Sequence, residues 1–332
     1  MDGLDERPAL ADHLPPDDGP TGYEVWSVGG HLTEVLHIPA TQPGPVRNVL
    51  VFIPGNPGII GYYHDYLETL HRLSGGNIEV FGCTYPGQSQ YLANHEQRVL
   101  SLDEQVQHKI AFYDAVSRRV DAHERAGRAA GLGEVAARPR VFLAGHSLGT
   151  YVILQLLKHR PTARIDKILA LFPTLHSLAK TPMGRQMSWV VMPGVRHTVY
   201  AAIAGLRSLV PVEYLRAIVA AVTGHKGRAL GVTSRLVHPH SAASSLYLGA
   251  CEMAQIREMQ HDVIERHADK FMFYYGSVDD WCPTSHYDEM RDTYPESKTH
   301  LCEHRVPHAF VIEHSELIAE QTAKWLQPFL LQ

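Results

Sequence analysis

The stretch "RPRVFLAGHSLGTYVILQLLKHRP" (138–161) carries the reading on which the fold turns. Its first half holds an uninterrupted apolar run, Val141 to Ala144. Its second half has apolar residues at helical spacing and stops at Pro161, which cannot continue a helix. A strand buried on both faces therefore runs straight into a helix, with Ser147 at the join. Such a sharp turn needs an unfavourable backbone angle at the serine and neighbours without Cβ atoms, which Gly145 and Gly149 supply. In that setting Ser147 is read as a nucleophile held out for attack. The alternative, a serine that only caps the helix from Leu148, would use the same residues.

Outward from this join the chain alternates strands and helices. Residues 23–38 alternate apolar and polar about Gly29 and Gly30, predicting a hairpin, and "VRNVLVFIPG" (46–55) reads as a buried strand. The helical segment "YYHDYLETLHRL" and the strand "IEVFGCTYPG" follow. Leu102, Val106, Ile110, Tyr113 and Val116 then mark a helix to about Arg128, opened by a Ser101/Glu104 capping box. Further strands are read in "DKILALFPT", "KFMFYYGSVDD" and "THLCEHRVPHAF", with a closing helix from Ser315. This order predicts an α/β fold, a mostly parallel sheet covered by helices on both faces. Between Thr174 and about Ala242 the alternation stops and the composition turns helical and apolar. Residues 21–174 and 243–332 are therefore read as the core, 175–242 as an inserted helical cap over the strands' carboxyl ends, and 1–20 as a loose acidic leader.

Composition narrows the chemistry. The 332 residues are 45 % hydrophobic and carry a formal charge of -5, so a large core is expected and no basic excess is present to hold nucleic acid. The four cysteines lie far apart without a Cys-x-x-Cys pair and read as reduced thiols in a cytoplasmic setting. The 22 histidines include no His-Glu-x-x-His pair, so neither a metal nor a cofactor is called for. The leader has the form of neither a signal nor a transit peptide. No uncharged apolar run approaches the ~18 residues of a membrane span, which leaves peripheral contact.

A nucleophilic serine needs a base, an acid to orient it and donors for the oxyanion. On this fold the chain order is Ser, then Asp or Glu, then His. "YYGSVDDWCP" puts Asp279 and Asp280 at the end of a buried strand, and "EHRVPHAF" puts His308 in the loop after the next. Asp279 comes first off its strand and is the preferred acid; Asp280 suits a turn or a helix cap before Pro283. His304 is read within the strand, His314 near the last helix, and His146 as packing beside the elbow. Leu148 N–H is one oxyanion donor by position. Pro54 and Pro57 lack an N–H, leaving Gly55 and Asn56 for the second, with Asn56 preferred through its backbone. "YPGQS" (85–89) is read either as lining the pocket or as a turn without substrate contact.

Together these residues resemble the lipid droplet-associated hydrolases, serine hydrolases of the α/β-hydrolase superfamily. The similar blocks are "VFIPGNPG" (51–58), "QVQHKIAF" (105–112), "LAGHSLGTY" (143–151), "LLKHRP" (156–161), "LFPT" (171–174), "LYLGACEM" (246–253), "FYYGSVDDWCP" (273–283) and "VPHAF" (306–310). By that match the nucleophile, acid and base fall on Ser147, Asp279 and His308. The resemblance implies cleavage of lipid carboxylic esters, of sterol ester or acylglycerol class, at lipid droplets and the cytoplasmic face of the endoplasmic reticulum. Two rivals are a soluble acyl-thioester or peptide hydrolase and a droplet scaffold or lipid-turnover regulator with little catalysis. If 195–210 is helical, Val195, Val199, Ile203, Leu206 and Val210 form one stripe with Arg196 and Arg207 at its margin. That stripe suits either a phospholipid surface or a lid packed on the core.

Overall fold

The computed structural model describes residues 22–89, 92 and 98–330. The leader expected at 1–20 lies outside the described residues. The predicted hairpin is β1 (Gly22–Val28) with β2 (His31–Ile38), paired antiparallel through Gly29 and Gly30. Next come β3 (Asn48–Ile53), α1 (His64–Leu73), β4 (Glu79–Cys83) and α2 (Leu102–Ala129). The Ser101 side chain and Glu104 make the predicted capping box on α2. A short α3 (Glu134–Ala137) precedes β5 (Arg140–His146), α4 (Leu148–His159) and β6 (Lys167–Leu171).

The chain then leaves the sheet for α5 (Pro182–Val190), α6 (Pro193–Leu209), α7 (Val212–Thr223), α8 (Gly227–Leu236), α9 (Pro239–Gln255) and α10 (His261–Arg266). It returns through β7 (Phe271–Gly276), α11 (Thr284–Thr293), β8 (Lys298–Cys302) and α12 (Ser315–Leu330). His304, read within the last strand, lies beyond its end at Cys302, because the carboxyl-terminal part of "THLCEHRVPHAF" turns away from the sheet.

The strands form one eight-stranded sheet in the order β1-β2-β4-β3-β5-β6-β7-β8. β3 to β8 are parallel neighbours and β2 joins β4 antiparallel. Every residue of β3, β4 and β7 is buried, as expected for strands covered on both faces. Parallel pairing brings the ends of β3, β5, β7 and β8 to one edge, and the loops leaving them carry Asn56, Ser147, Asp279 and His308.

The stripe expected on 195–210 is helical through Leu209, with Val210 at the cap. Val195, Val199, Ile203 and Leu206 are half-buried rather than exposed, and the Arg196 guanidinium lies 5.0 Å from the Tyr247 ring on α9. The stripe thus packs on its neighbours. The exposed apolar surface of the segment between β6 and β7 comes from other residues: Trp189, Met192, Tyr200, Leu209, Tyr214, Ile218 and Val222. On α7, Tyr214, Ile218 and Val222 face outward while Leu215 and Val219 are buried, so this helix is apolar on two faces. Among the described residues no helix is long and apolar enough to cross a membrane.

Candidate active site

Ser147 sits at φ 53 and ψ -121 between β5 and α4, the only residue separating strand from helix. Its N–H donates to Leu171 O of the neighbouring strand at 3.0 Å, and its carbonyl accepts from Thr150 N at 2.9 Å. The flanking glycines are required by contact. A Cβ on Gly145 would come within 2.7 Å of the Gly149 carbonyl carbon, and one on Gly149 within 2.1 Å of Ile53 O. Missing side chains thus let α4 press against β3 and β5, which keeps Ser147 in its strained conformation.

From Ser147 a chain of hydrogen bonds runs inward. His308 Nε2 lies 2.8 Å from Ser147 Oγ, and His308 Nδ1 lies 2.6 Å from Asp279 Oδ2. Asp279 is buried, whereas Asp280 is exposed and meets α5 through its carbonyl, which accepts from Met183 N at 3.0 Å. Successive side chains leaving β7 point in different directions, and only Asp279 turns toward the imidazole.

Asp279 is well supplied with donors. Oδ1 accepts from Trp281 N at 2.8 Å and Cys282 N at 3.1 Å, and the Cys282 thiol donates to Oδ2 at 2.9 Å. Burial opposes ionisation of this carboxyl. His308, then the thiol and N–H of Cys282, outweigh it and hold Asp279 below the usual carboxylate range. Burial and the adjacent Asp279 push the Cys282 thiol well above its ordinary value, so it remains a donor. Asp279, Cys282 and His308 offer donor atoms of metal-ligand type within 4.8 Å of one another. Those atoms are already joined by S–H···O and N–H···O bonds, an arrangement suited to moving a proton.

His146, expected beside the elbow, is buried and bridges two loops. Its Nδ1 accepts from the Tyr63 hydroxyl at 2.8 Å and its Nε2 donates to the His308 carbonyl at 2.9 Å. Burial, with His308 second, pushes its pKa down to about 3, so the ring is neutral and can hold both roles. Tyr63 Oη also accepts from Gly55 N at 2.9 Å. One of the two N–H groups left open by the sequence is therefore occupied. The Asn56 N–H makes no hydrogen bond among the described residues. Gly55 lies against Ser147, since a Cβ there would sit 3.1 Å from Ser147 Cβ. Leu148, first residue of α4, has an N–H with no partner inside its helix.

The "YPGQS" loop supports this turn. Tyr85 Oη donates to Pro54 O at 3.2 Å, and Gln88 Oε1 accepts from Gly58 N. Behind the loop, Gln105 Nε2 donates to Pro86 O at 3.0 Å and the buried Lys109 ammonium to Thr84 O at 2.9 Å, both from α2. Sequence reasoning passed over Tyr63, Cys282 and Gln88. Cys282 and Gln88 lie inside motifs already singled out, but no local signal marked Tyr63.

The sheet order, the strained serine and the three converging loops define an α/β-hydrolase. The same fold is found in the juvenile hormone epoxide hydrolase of Bombyx mori, with a TM-score of 0.60 and 13 % identity over 93 % of this chain and 76 % of that one. The enol-lactonase from Burkholderia xenovorans LB400 also shares it, with a TM-score of 0.56 and 12 % identity over 91 % and 99 %.

The chain belongs to the lipid-droplet associated hydrolase family, whose model matches residues 46–311. It is similar to the lipid droplet-associated hydrolase of Mus musculus, 28 % identical over 84 % of this chain and 85 % of that protein. The Drosophila melanogaster relative is 29 % identical over 82 % and 87 %, and that of Dictyostelium discoideum 25 % over 92 % and 95 %. The protein is accordingly a hydrolase.

Proposed function

We propose that the protein is a serine hydrolase of lipid carboxylic esters. The observation that carries this reading is the unbroken path from Ser147 Oγ through His308 to Asp279, at 2.8 and 2.6 Å, beginning at a residue with φ 53. Ser147 Oγ attacks the acyl carbonyl while His308 Nε2 takes its proton, and Asp279 stabilises the resulting imidazolium. Negative charge on the carbonyl oxygen is met by the N–H groups of Leu148 and Asn56. His308 returns the proton to the departing alcohol. Water, activated by the same imidazole, then releases the carboxylic acid and restores the serine.

The substrate class and cellular place rest on the helices between β6 and β7, which we read as a cap spanning about 175–242, and on the names of the relatives. A helix apolar on two faces fits an apolar environment, and α7 buries one face while offering Tyr214, Ile218 and Val222 outward. Leu209 and Val222, 83 % and 78 % exposed, would enter a droplet monolayer, and the exposed Arg216 would stay among its phosphates. Sterol esters or acylglycerols would reach Ser147 from that surface, on droplets or the cytoplasmic face of the endoplasmic reticulum.

The test is incubation with artificial droplets of triacylglycerol and sterol ester under a phospholipid monolayer. Fatty acid release lost in Ser147→Ala, with flotation of the protein reduced by Leu209→Glu plus Val222→Glu, is expected. Absence of acid release from either lipid by folded protein, or flotation unmoved by the double substitution, would overturn the corresponding half of the reading.

A further inference from the structure

The block "LYLGACEM" (246–253) lies on α9, far in sequence from the serine, and carries a carboxyl group that the proposed reaction does not use. Glu252 is 7 % exposed, and its Oε1 accepts from Asn56 Nδ2 at 2.7 Å. The same Nδ2 donates to Ser245 O, two turns earlier on the same face of α9, at 2.9 Å. On its other side Asn56 Oδ1 accepts from Gln88 Nε2 at 3.4 Å. Every polar atom of the Asn56 side chain is therefore engaged, and both of its own donor contacts reach α9. The backbone beside it is fixed from below by Gly55 N–H on Tyr63.

We propose that Glu252 is a positioning residue that holds the Asn56 N–H at the oxyanion, so that seating of α9 and stabilisation of the transition state are coupled. This rests on the serine-hydrolase reading and specifies how its site is controlled. With α9 docked, the side chain of Asn56 is pinned and its N–H stays aimed across Ser147. If α9 swings away, two of the tethers leave together and the donor is released. Catalysis would then be strongest when the helices are closed over substrate.

The protonation state suits that role. Burial, against the hydrogen bond from Asn56, pushes the Glu252 carboxyl up to about 8. No cation pairs with it among the described residues. The ionisable neighbour facing it is Tyr85, from the loop after β4, whose hydroxyl donates to Pro54 O and is itself raised by burial. Near neutral pH Glu252 is thus an uncharged acceptor. An ionised Glu252 would add negative charge close to where the oxyanion forms and oppose it.

The test compares acylation by a p-nitrophenyl ester in wild type, Glu252→Gln, Glu252→Leu and Ser147→Ala across pH 6 to 9.5. Glu252→Gln keeps the acceptor without the charge; its rate at pH 7 should stay within about threefold of wild type, and the decline above pH 8 should vanish. Glu252→Leu should lower kcat roughly 10- to 100-fold, with KM within about twofold, since losing an oxyanion donor outright costs about 100-fold or more. Wild-type rates and an unchanged alkaline limb in both Glu252 variants, with Ser147→Ala inactive, would overturn the proposal alone. Turnover persisting in Ser147→Ala would overturn the reading beneath it and the proposal together. Should Glu252→Leu fail to fold, the alkaline limb of Glu252→Gln decides.

Discussion

Tyr63→Phe removes one oxygen and should disturb both stability and catalysis. The hydroxyl accepts from Gly55 N at 2.9 Å and donates to His146 Nδ1 at 2.8 Å, and the residue is 3 % exposed. Its loss strands a donor and an acceptor away from water. An unsatisfied buried polar group costs about 1–3 kcal/mol, and loss of the hydroxyl's own desolvation offsets a part, so roughly 2–4 kcal/mol is expected. At about 2 °C per kcal/mol for a chain of this size, Tm should fall by about 4–8 °C. Because Gly55 precedes Asn56 and His146 holds the His308 carbonyl, kcat on a p-nitrophenyl ester should also fall, by about tenfold. Thermal unfolding and steady-state kinetics on the same preparation read both. A Tm within 1 °C and kcat within twofold of wild type would show that the hydroxyl joins neither loop, and the account of how they are held would be wrong.

Three other outcomes follow from the same geometry. His146 has a folded pKa lowered to about 3 from an ordinary 6.5, so between those values the unfolded chain binds the extra proton and stability falls as pH drops; at pH 5 the cost is about 2 kcal/mol. Denaturant titrations at pH 7 and 5 should show that loss, reduced in His146→Gln; an identical pH dependence in both would contradict it. Cys282→Ala removes the thiol donor from Asp279 and should lower kcat/KM by about three- to tenfold, with Cys282→Ser restoring most of it through O–H; equal losses in both would mean that packing alone matters. Gly149→Ala drives a methyl to 2.1 Å from Ile53 O, so a loss of about 3 kcal/mol or more and an inert serine are expected; near-native stability by urea unfolding would refute the tight helix-to-strand contact.

How much of this was legible beforehand follows from where each signal resides. Strands such as Asn48–Ile53 and Phe271–Gly276 are buried on both faces, so their apolar runs announced them, and the capping box of α2 lies within four residues. Ser147, Asp279 and His308 were legible as positions because chain order and strand ends bring them to one edge. The choice of Asp279 over Asp280 depended on direction of departure from β7, which the order of residues suggests but does not measure. Tyr63, Cys282 and Glu252 owe their places to partners on other elements, and no period in the chain encodes that. The stripe at Val195, Val199, Ile203 and Leu206 was a true amphipathic signal, but such a signal does not say whether protein or lipid covers the apolar face. Here α5 and α9 pack against α6 and leave the stripe half-buried, and the outward apolar surface of this region comes largely from α7, α6 and the end of α5.

The most direct measurement of the central claim is intact-protein mass after exposure to a fluorophosphonate, followed by peptide mapping. The account predicts one adduct, on Ser147, formed rapidly in wild type, slowed by orders of magnitude in His308→Ala and absent in Ser147→Ala. A folded wild-type protein that stays unlabelled, or an adduct that maps elsewhere and survives Ser147→Ala, would contradict it.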